Sequence, residues 1–177
     1  MPAHVAFLRG MNLGGRRLTN TTLCAAFERL GARAPSAFLA SGNVVFELEG
    51  SERAVAERVE RGLADALGYE VVTFIRAAAQ VRSLGERRPF DVFEGADERG
   101  KPQVAFLLDA PTQQQARAIA DMETDDDWLV LENRELHWLP RGGVSASEFD
   151  FGALHRLVGP TTVRTHNTIA RLAAKLL

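Results

Sequence analysis

The chain predicts an α+β fold, two ferredoxin-like (split βαβ) subdomains packed together plus a C-terminal helix. Three observations lead there. The first 76 residues read strand, helix, strand, strand, helix, strand. The same order returns after residue 101, with "HVAFLR" and "QVAFLL" in the same slot about 100 residues apart. A content of 46% hydrophobic and 25% charged residues over 177 positions can bury a core, which excludes disordered and fibrous classes.

Residues 4–9, "HVAFLR", are apolar enough for a strand, and the Gly10 to Arg17 loop follows. Thr19, Asn20 and Thr21 can each cap the next helix, which carries Leu23, Phe27 and Leu30 on one face before Gly31 stops it. Residues 37–49, "AFLASGNVVFELE", are two apolar runs broken by Ser41-Gly42-Asn43, a hairpin signal because glycine and asparagine tolerate positive φ. Ser51 caps a second helix with Val55, Val59, Leu63 and Leu67 in step, and Gly68 ends it. "EVVTFIR", residues 70–76, completes the first set.

A bridging segment, helical near Ala77 to Leu84, leads to the second set. It comprises strand "PQVAFLLDA", a helix from Thr112 to Met122, strands "WLVLE" and "ELHWL" around Asn133-Arg134, a helix from Ser147 to Val158, strand "TTVRT" and a terminal helix from Asn167. The domain boundaries expected are therefore 1–76 for the first subdomain, 77–101 for a linker with a short helix, and 102–177 for the second subdomain with its terminal helix. Both faces of the opening strands are apolar, Val5 and Phe7 against Ala6 and Leu8, and Val104, Phe106 and Leu108 against Ala105 and Leu107. Sheets covering one another, or a homodimer, would account for that pattern.

No stretch reaches the roughly 18 apolar residues of a membrane span, and Val5 to Leu8 is too short for a signal peptide, so a cytoplasmic location is expected. Cys24, the one cysteine, sits beside the apolar helix face and reads as a packing residue. Charge is uneven: Met1 to Phe46 has five arginines against one acid, Phe90 to Leu136 twelve acids against four bases, and the stretch from His137 onward five bases against two acids.

The Gly10 to Arg17 loop joins a strand's end to a helix N-terminus, where free N–H groups and the helix dipole favour an anion. Its glycines let backbone approach a ligand, and Arg9, Arg16 and Arg17 add charge. The loop lacks both the Lys-Ser/Thr pair of a phosphate loop and the spacing of a dinucleotide fingerprint, so a solvated turn is the competing reading. The acidic run Asp121 to Glu132 mimics a calcium loop but carries Asp126 where that loop needs glycine. His4, His137, His155 and His166 show no metal-ligand spacing, and Ser145 and Ser147 read as helix caps rather than nucleophiles. No metal and no cofactor is expected, and catalytic residues are not identifiable. Nucleic-acid binding is disfavoured by the net charge of -2 and by the single phenylalanine of "NVVFELE".

"LRGMNLGG", "SGNVVF" and "VRTHNTIARL", in this order, resemble the bacterial domain of unknown function 1697 family, over Val5 to Leu172. The resemblance implies a small stand-alone protein with two α+β subdomains and brings no assigned activity. The matching positions are Arg9, Gly10, Asn12, Gly14 and Gly15, then Ser41, Gly42 and Asn43, then Arg164, Asn167 and Thr168. The chain departs from the pattern at His166, where tryptophan is usual, and at Glu148, where lysine often follows the serine.

Three functions follow as expectations. The first is binding of a small anionic or polar ligand by Arg9, Gly10, Asn12, Gly14, Gly15, Arg16, Ser41 and Asn43, with Arg164 and Asn167. The second is an enzyme acting on an anionic substrate, with Asn12, Ser41 or His166 in polar roles. The third is a homo-oligomerising or partner-docking module.

Overall fold

The computed structural model describes residues 1–11, 18–39 and 42–176. They form two compact units, Met1–Ser83 with the C-terminal residues from Leu172, and Leu84–Arg171.

The first unit runs β1 (Ala3–Leu8), α1 (Asn20–Arg29), β2 (Arg33–Phe38), β3 (Asn43–Glu47), α2 (Glu52–Leu67) and β4 (Thr73–Ala77). Its sheet has the order β2-β3-β1-β4 with every neighbouring pair antiparallel. Local chemistry sets the helices. The Thr19 side chain accepts from the Thr22 N–H to start α1, Ser51 accepts from Ala54 to start α2, and Gly68, at φ 78°, lets α2 end in a left-handed turn.

Leu23 and Phe27 of α1 and Val55, Val59 and Leu63 of α2 pack on Ala6, Leu8, Val44, Phe46 and Ile75 of the sheet. The Phe27 and Phe46 rings meet edge to face at 4.9 Å. Each large side chain so buried contributes about 1.5–3 kcal/mol. Val5 and Phe7, on the opposite face of β1, are also fully buried. The C-terminal residues join this unit through the Leu176 carbonyl, which accepts from Arg82 Nη1 at 3.2 Å, and through Lys175, whose Nζ lies 4.8 Å from the Phe38 ring centroid.

The helix α3 (Ala78–Glu86) carries the chain onward. The second unit then runs β5 (Gln103–Leu107), α4 (Gln113–Ala120), β6 (Asp127–Glu132), β7 (Glu135–Pro140), α5 (Phe151–Val158) and β8 (Thr161–Thr165), before α6 (His166–Ala174). Its sheet order, β6-β7-β5-β8, repeats that of the first unit position for position. Ala105, Leu107, Ile119, Leu136 and Leu154 form its core. Trp138, Phe149 and Phe151 extend that core as an aromatic cluster with centroid separations of 4.9–5.6 Å. Thr112 and Gln115 make a reciprocal capping box at the start of α4.

Two sequence expectations need correction. The strand before the first hairpin begins at Arg33, not near Ala37, because β2 is an exposed edge strand with a register break between Arg33 and Ser36 and so shows no apolar alternation. The helix read from Ser147 begins instead at Phe151, and its cap is Asp150, whose Oδ1 accepts from the Ala153 N–H at 2.8 Å. Ser145 lies within a short 3-10 turn, Val144–Ala146, so neither serine caps α5.

Candidate functional site

The register of the first sheet decides which loops meet. Phe7 pairs with Asn43 across β1 and β3, so the end of β1 and the β2–β3 hairpin lie at the same end of the sheet. Beyond the last paired residues, the Leu8 N–H donates to the Gly42 carbonyl at 2.8 Å and the Arg9 N–H to the Val72 carbonyl at 3.0 Å. Three chain segments therefore converge where the glycine-rich loop departs. Gly10 and Gly42 both adopt left-handed backbone, at φ 71° and 73°. A Cβ at Gly42 would come within 2.9 Å of Met11 Cγ and 3.2 Å of Leu8 Cβ, so the hairpin is pressed directly onto the loop's first residues.

Of the residues expected in the site, Arg9 is exposed and Gly10 turns the chain. Asn43 is fully buried, and its Nδ2 donates to the Phe38 carbonyl at 3.0 Å, which braces the hairpin from inside. Asn12, Gly14, Gly15, Arg16 and Ser41, with Arg17, lie outside the described residues. The helix that follows the loop has no acidic side chain in its first turn, and so nothing there neutralises the positive end of its dipole.

Arg164 and Asn167 belong to the second unit. Arg164 lies on β8, 9% exposed, and its Nη1 donates to Thr162 Oγ1 at 2.8 Å and to the Val163 carbonyl at 2.9 Å. Burial pushes its guanidinium down to about 10. Asn167 is exposed in the first turn of α6, a helix started by the Thr165 side chain, which accepts from the Thr168 N–H at 3.1 Å.

A polar cluster in the second unit has no signal in the sequence, because four separate stretches contribute to it. Arg87 forks onto the Glu132 carboxylate, with Nε donating to Oε2 at 2.9 Å and Nη2 donating to Oε1. The hydrogen bond from Arg87 holds the Glu132 carboxyl below the usual range. His137, 1% exposed, places Nε2 at 3.3 Å from Glu132 Oε2 without a well-aligned hydrogen bond, and burial lowers its pKa. Nearby, Arg88 Nη1 lies 3.0 Å from His166 Nε2. A guanidinium can only donate, so His166 Nε2 accepts and the ring is neutral, its other nitrogen facing the backbone at Leu84 and Arg87. Burial first, then the Arg88 charge, lower the His166 pKa. The arrangement is internally matched, each cation having its acceptor, and the lone pair a base would need on His166 is occupied.

The acidic run at Asp121–Glu132 forms a turn in which Thr124 Oγ1 accepts from the Asp126 and Asp127 N–H groups at 3.2 and 3.0 Å. Among the described residues no group of three or more His, Cys, Asp or Glu side chains is placed to hold a metal ion, and no helix is long and apolar enough to cross a membrane. Cys24 is half-buried.

The described residues thus define an α+β protein with two four-stranded antiparallel sheets and six α-helices. The family described as "Protein of unknown function (DUF1697)" matches residues 1–137, and the chain belongs to that family. The structure of conserved bacterial protein SP0830 from Streptococcus pneumoniae is similar over 99% of each chain, with a TM-score of 0.74 and 17% identity, a likeness that establishes the fold alone. No curated protein matches the sequence.

Proposed function

We propose that this protein binds a small anionic or polar ligand where the glycine-rich loop leaves β1. Arg9, Gly10, Asn12, Gly14, Gly15, Arg16, Ser41 and Asn43 would form the site, all within the first unit. On this reading each sheet with its helices is a ferredoxin-like split βαβ subdomain of a bacterial cytoplasmic protein. Phosphate, sulfate or carboxylate groups suit backbone N–H donors at a helix start flanked by arginines.

The observation that carries the reading is the Leu8 to Gly42 hydrogen bond of 2.8 Å, which holds the family-matching hairpin against the family-matching loop. Two stretches more than 30 residues apart in sequence are then parts of one surface. An enzymatic role has less support, since His166 already accepts from Arg88.

The test is a thermal-shift titration with inorganic phosphate, nucleotides, phosphosugars and carboxylates at graded salt. A ligand at 100 times its Kd adds about 2.7 kcal/mol, a rise easily seen, and Arg9→Ala should abolish it. A Tm indifferent to every anion in wild type and variant alike would remove the proposal.

A further inference from the structure

We propose a second binding site, in the second unit, for a small organic cation carrying an ammonium or guanidinium group, centred on the buried carboxylate of Asp127. The inference does not depend on the anion site, which lies in the other unit and has the opposite charge preference.

Asp127 opens β6 and is 4% exposed. Its Oδ1 accepts two hydrogen bonds, from the Trp138 indole Nε1–H at 2.7 Å and from the Ser147 hydroxyl at 2.6 Å. Both donors are neutral. Among the described residues no hydrogen bond or ion pair reaches Oδ2. A buried carboxylate ordinarily has a cation beside it, because neutral donors orient the charge without cancelling it.

The same residue lines a cavity of about 870 Å³, large enough for a small ligand. The other charged side chains on that cavity are Asp126, Glu148 and Asp150 against Arg141 alone, a net charge of −3 once Asp127 is included. Arg141 is already committed, with Nε 3.4 Å from Asp126 Oδ1. Asp150 is committed too, as the cap of α5, with Oδ2 3.9 Å from Arg156. The unanswered charge is therefore that of Asp127, with exposed Glu148 at the rim. Phe149 supplies an aromatic wall over which an alkylammonium can lie. With no three-ligand cluster among the described residues, the chemistry favours a nitrogen cation that donates hydrogen bonds over a metal ion.

The experiment titrates the full-length protein with 1,4-diaminobutane and with agmatine, watching the two tryptophan indole N–H resonances by NMR and the heat by calorimetry. Sodium chloride at matched ionic strength and magnesium chloride serve as separate arms. The expected result is a saturable shift of the Trp138 indole with Trp128 unmoved, and binding weakened at least about tenfold in Asp127→Asn, the fold-change expected when a charge-assisted hydrogen bond is lost. The exposed Glu148→Gln variant keeps the test valid if Asp127→Asn fails to fold, and should weaken binding by about threefold. Three results would each overturn the proposal: no saturable shift to about 10 mM, the same shift from sodium chloride, or undiminished affinity in every variant that folds. Magnesium acting at lower concentration than the amines would overturn the assignment to an organic cation.

Discussion

The two units share a strand order and differ at one end of the sheet. In the first, the Leu8 N–H reaches the Gly42 carbonyl at 2.8 Å, and in the second the Leu107 N–H reaches the Arg134 carbonyl at 2.9 Å. Arg76 stands opposite Val5 in one sheet and Arg164 opposite Val104 in the other. Each arginine is nearly buried and donates from Nη1 to the carbonyl of the residue before it, at 2.8 and 2.9 Å. The connections are not shared. From β1 to α1 the chain spends eleven residues, 9–19, whereas from β5 to α4 it spends five, 108–112. The repeated scaffold thus carries one lengthened, arginine-bearing loop, and that loop is the one proposed above to bind an anion.

Four measurements test how far the two units differ. The largest effect is expected at the hairpins. Gly42→Ala forces a side chain into left-handed backbone and against Met11 and Leu8, and should cost about 3 kcal/mol. Asn133→Ala, at φ 54° in the second hairpin, should cost only about 1 kcal/mol. Equal losses in urea midpoints would mean that the first hairpin is not specially pressed.

Next come the paired arginines: Arg76→Ala and Arg164→Ala should each lose about 2 kcal/mol, the worth of a buried charged hydrogen bond. A loss at one and none at the other would show the repeat to be architectural only.

A smaller effect separates the units by pH. His137 and His166 both have lowered pKa values in the folded protein, so the unfolded chain takes up protons first as pH falls. Their contribution is complete above about pH 6.5 and declines as pH drops from there toward the folded-state values, by up to about 1.4 kcal/mol per histidine per pH unit. Glu132, also lowered, adds a separate loss below its ordinary range near pH 4.5. Urea midpoints between about pH 7.5 and 5 should fall in wild type and flatten in His166→Gln. A slope unchanged by that variant would exclude His166 as a source.

The smallest effect on stability belongs to Arg9→Ala. Arg9 is exposed, so its removal should move the urea midpoint by no more than about 0.5 kcal/mol. That near-silence is what makes the loss of an anion-induced rise in Tm interpretable as binding.

Much of the scaffold was legible in the chain. Thr19, Ser51 and Thr112 announce three helix starts, Val55, Val59 and Leu63 mark one buried stripe, and Asn133-Arg134 marks a two-residue hairpin. Each of these signals sits within a few residues of the structure it produces. The edge strand β2 was harder, because exposure removes the alternation that would betray it. The start of α5 was misplaced because Ser147 looks like a cap, while its hydroxyl donates to Asp127, twenty residues earlier. In the candidate site, the glycines and arginines of the first loop stood out, but their link to the hairpin did not.

The order of elements, the helix ends marked by caps and glycines, and the family motifs can all be read from the chain. All of these depend on neighbours within a turn of helix or the span of a hairpin. Tertiary structure alone decided that the Gly10 and Gly42 turns meet, that Glu132, His137 and Arg87 share one network, and that Asp127 is buried beside a cavity. Those outcomes depend on strand register and on which side chains burial deprives of water, and neither is a property of any short stretch of chain.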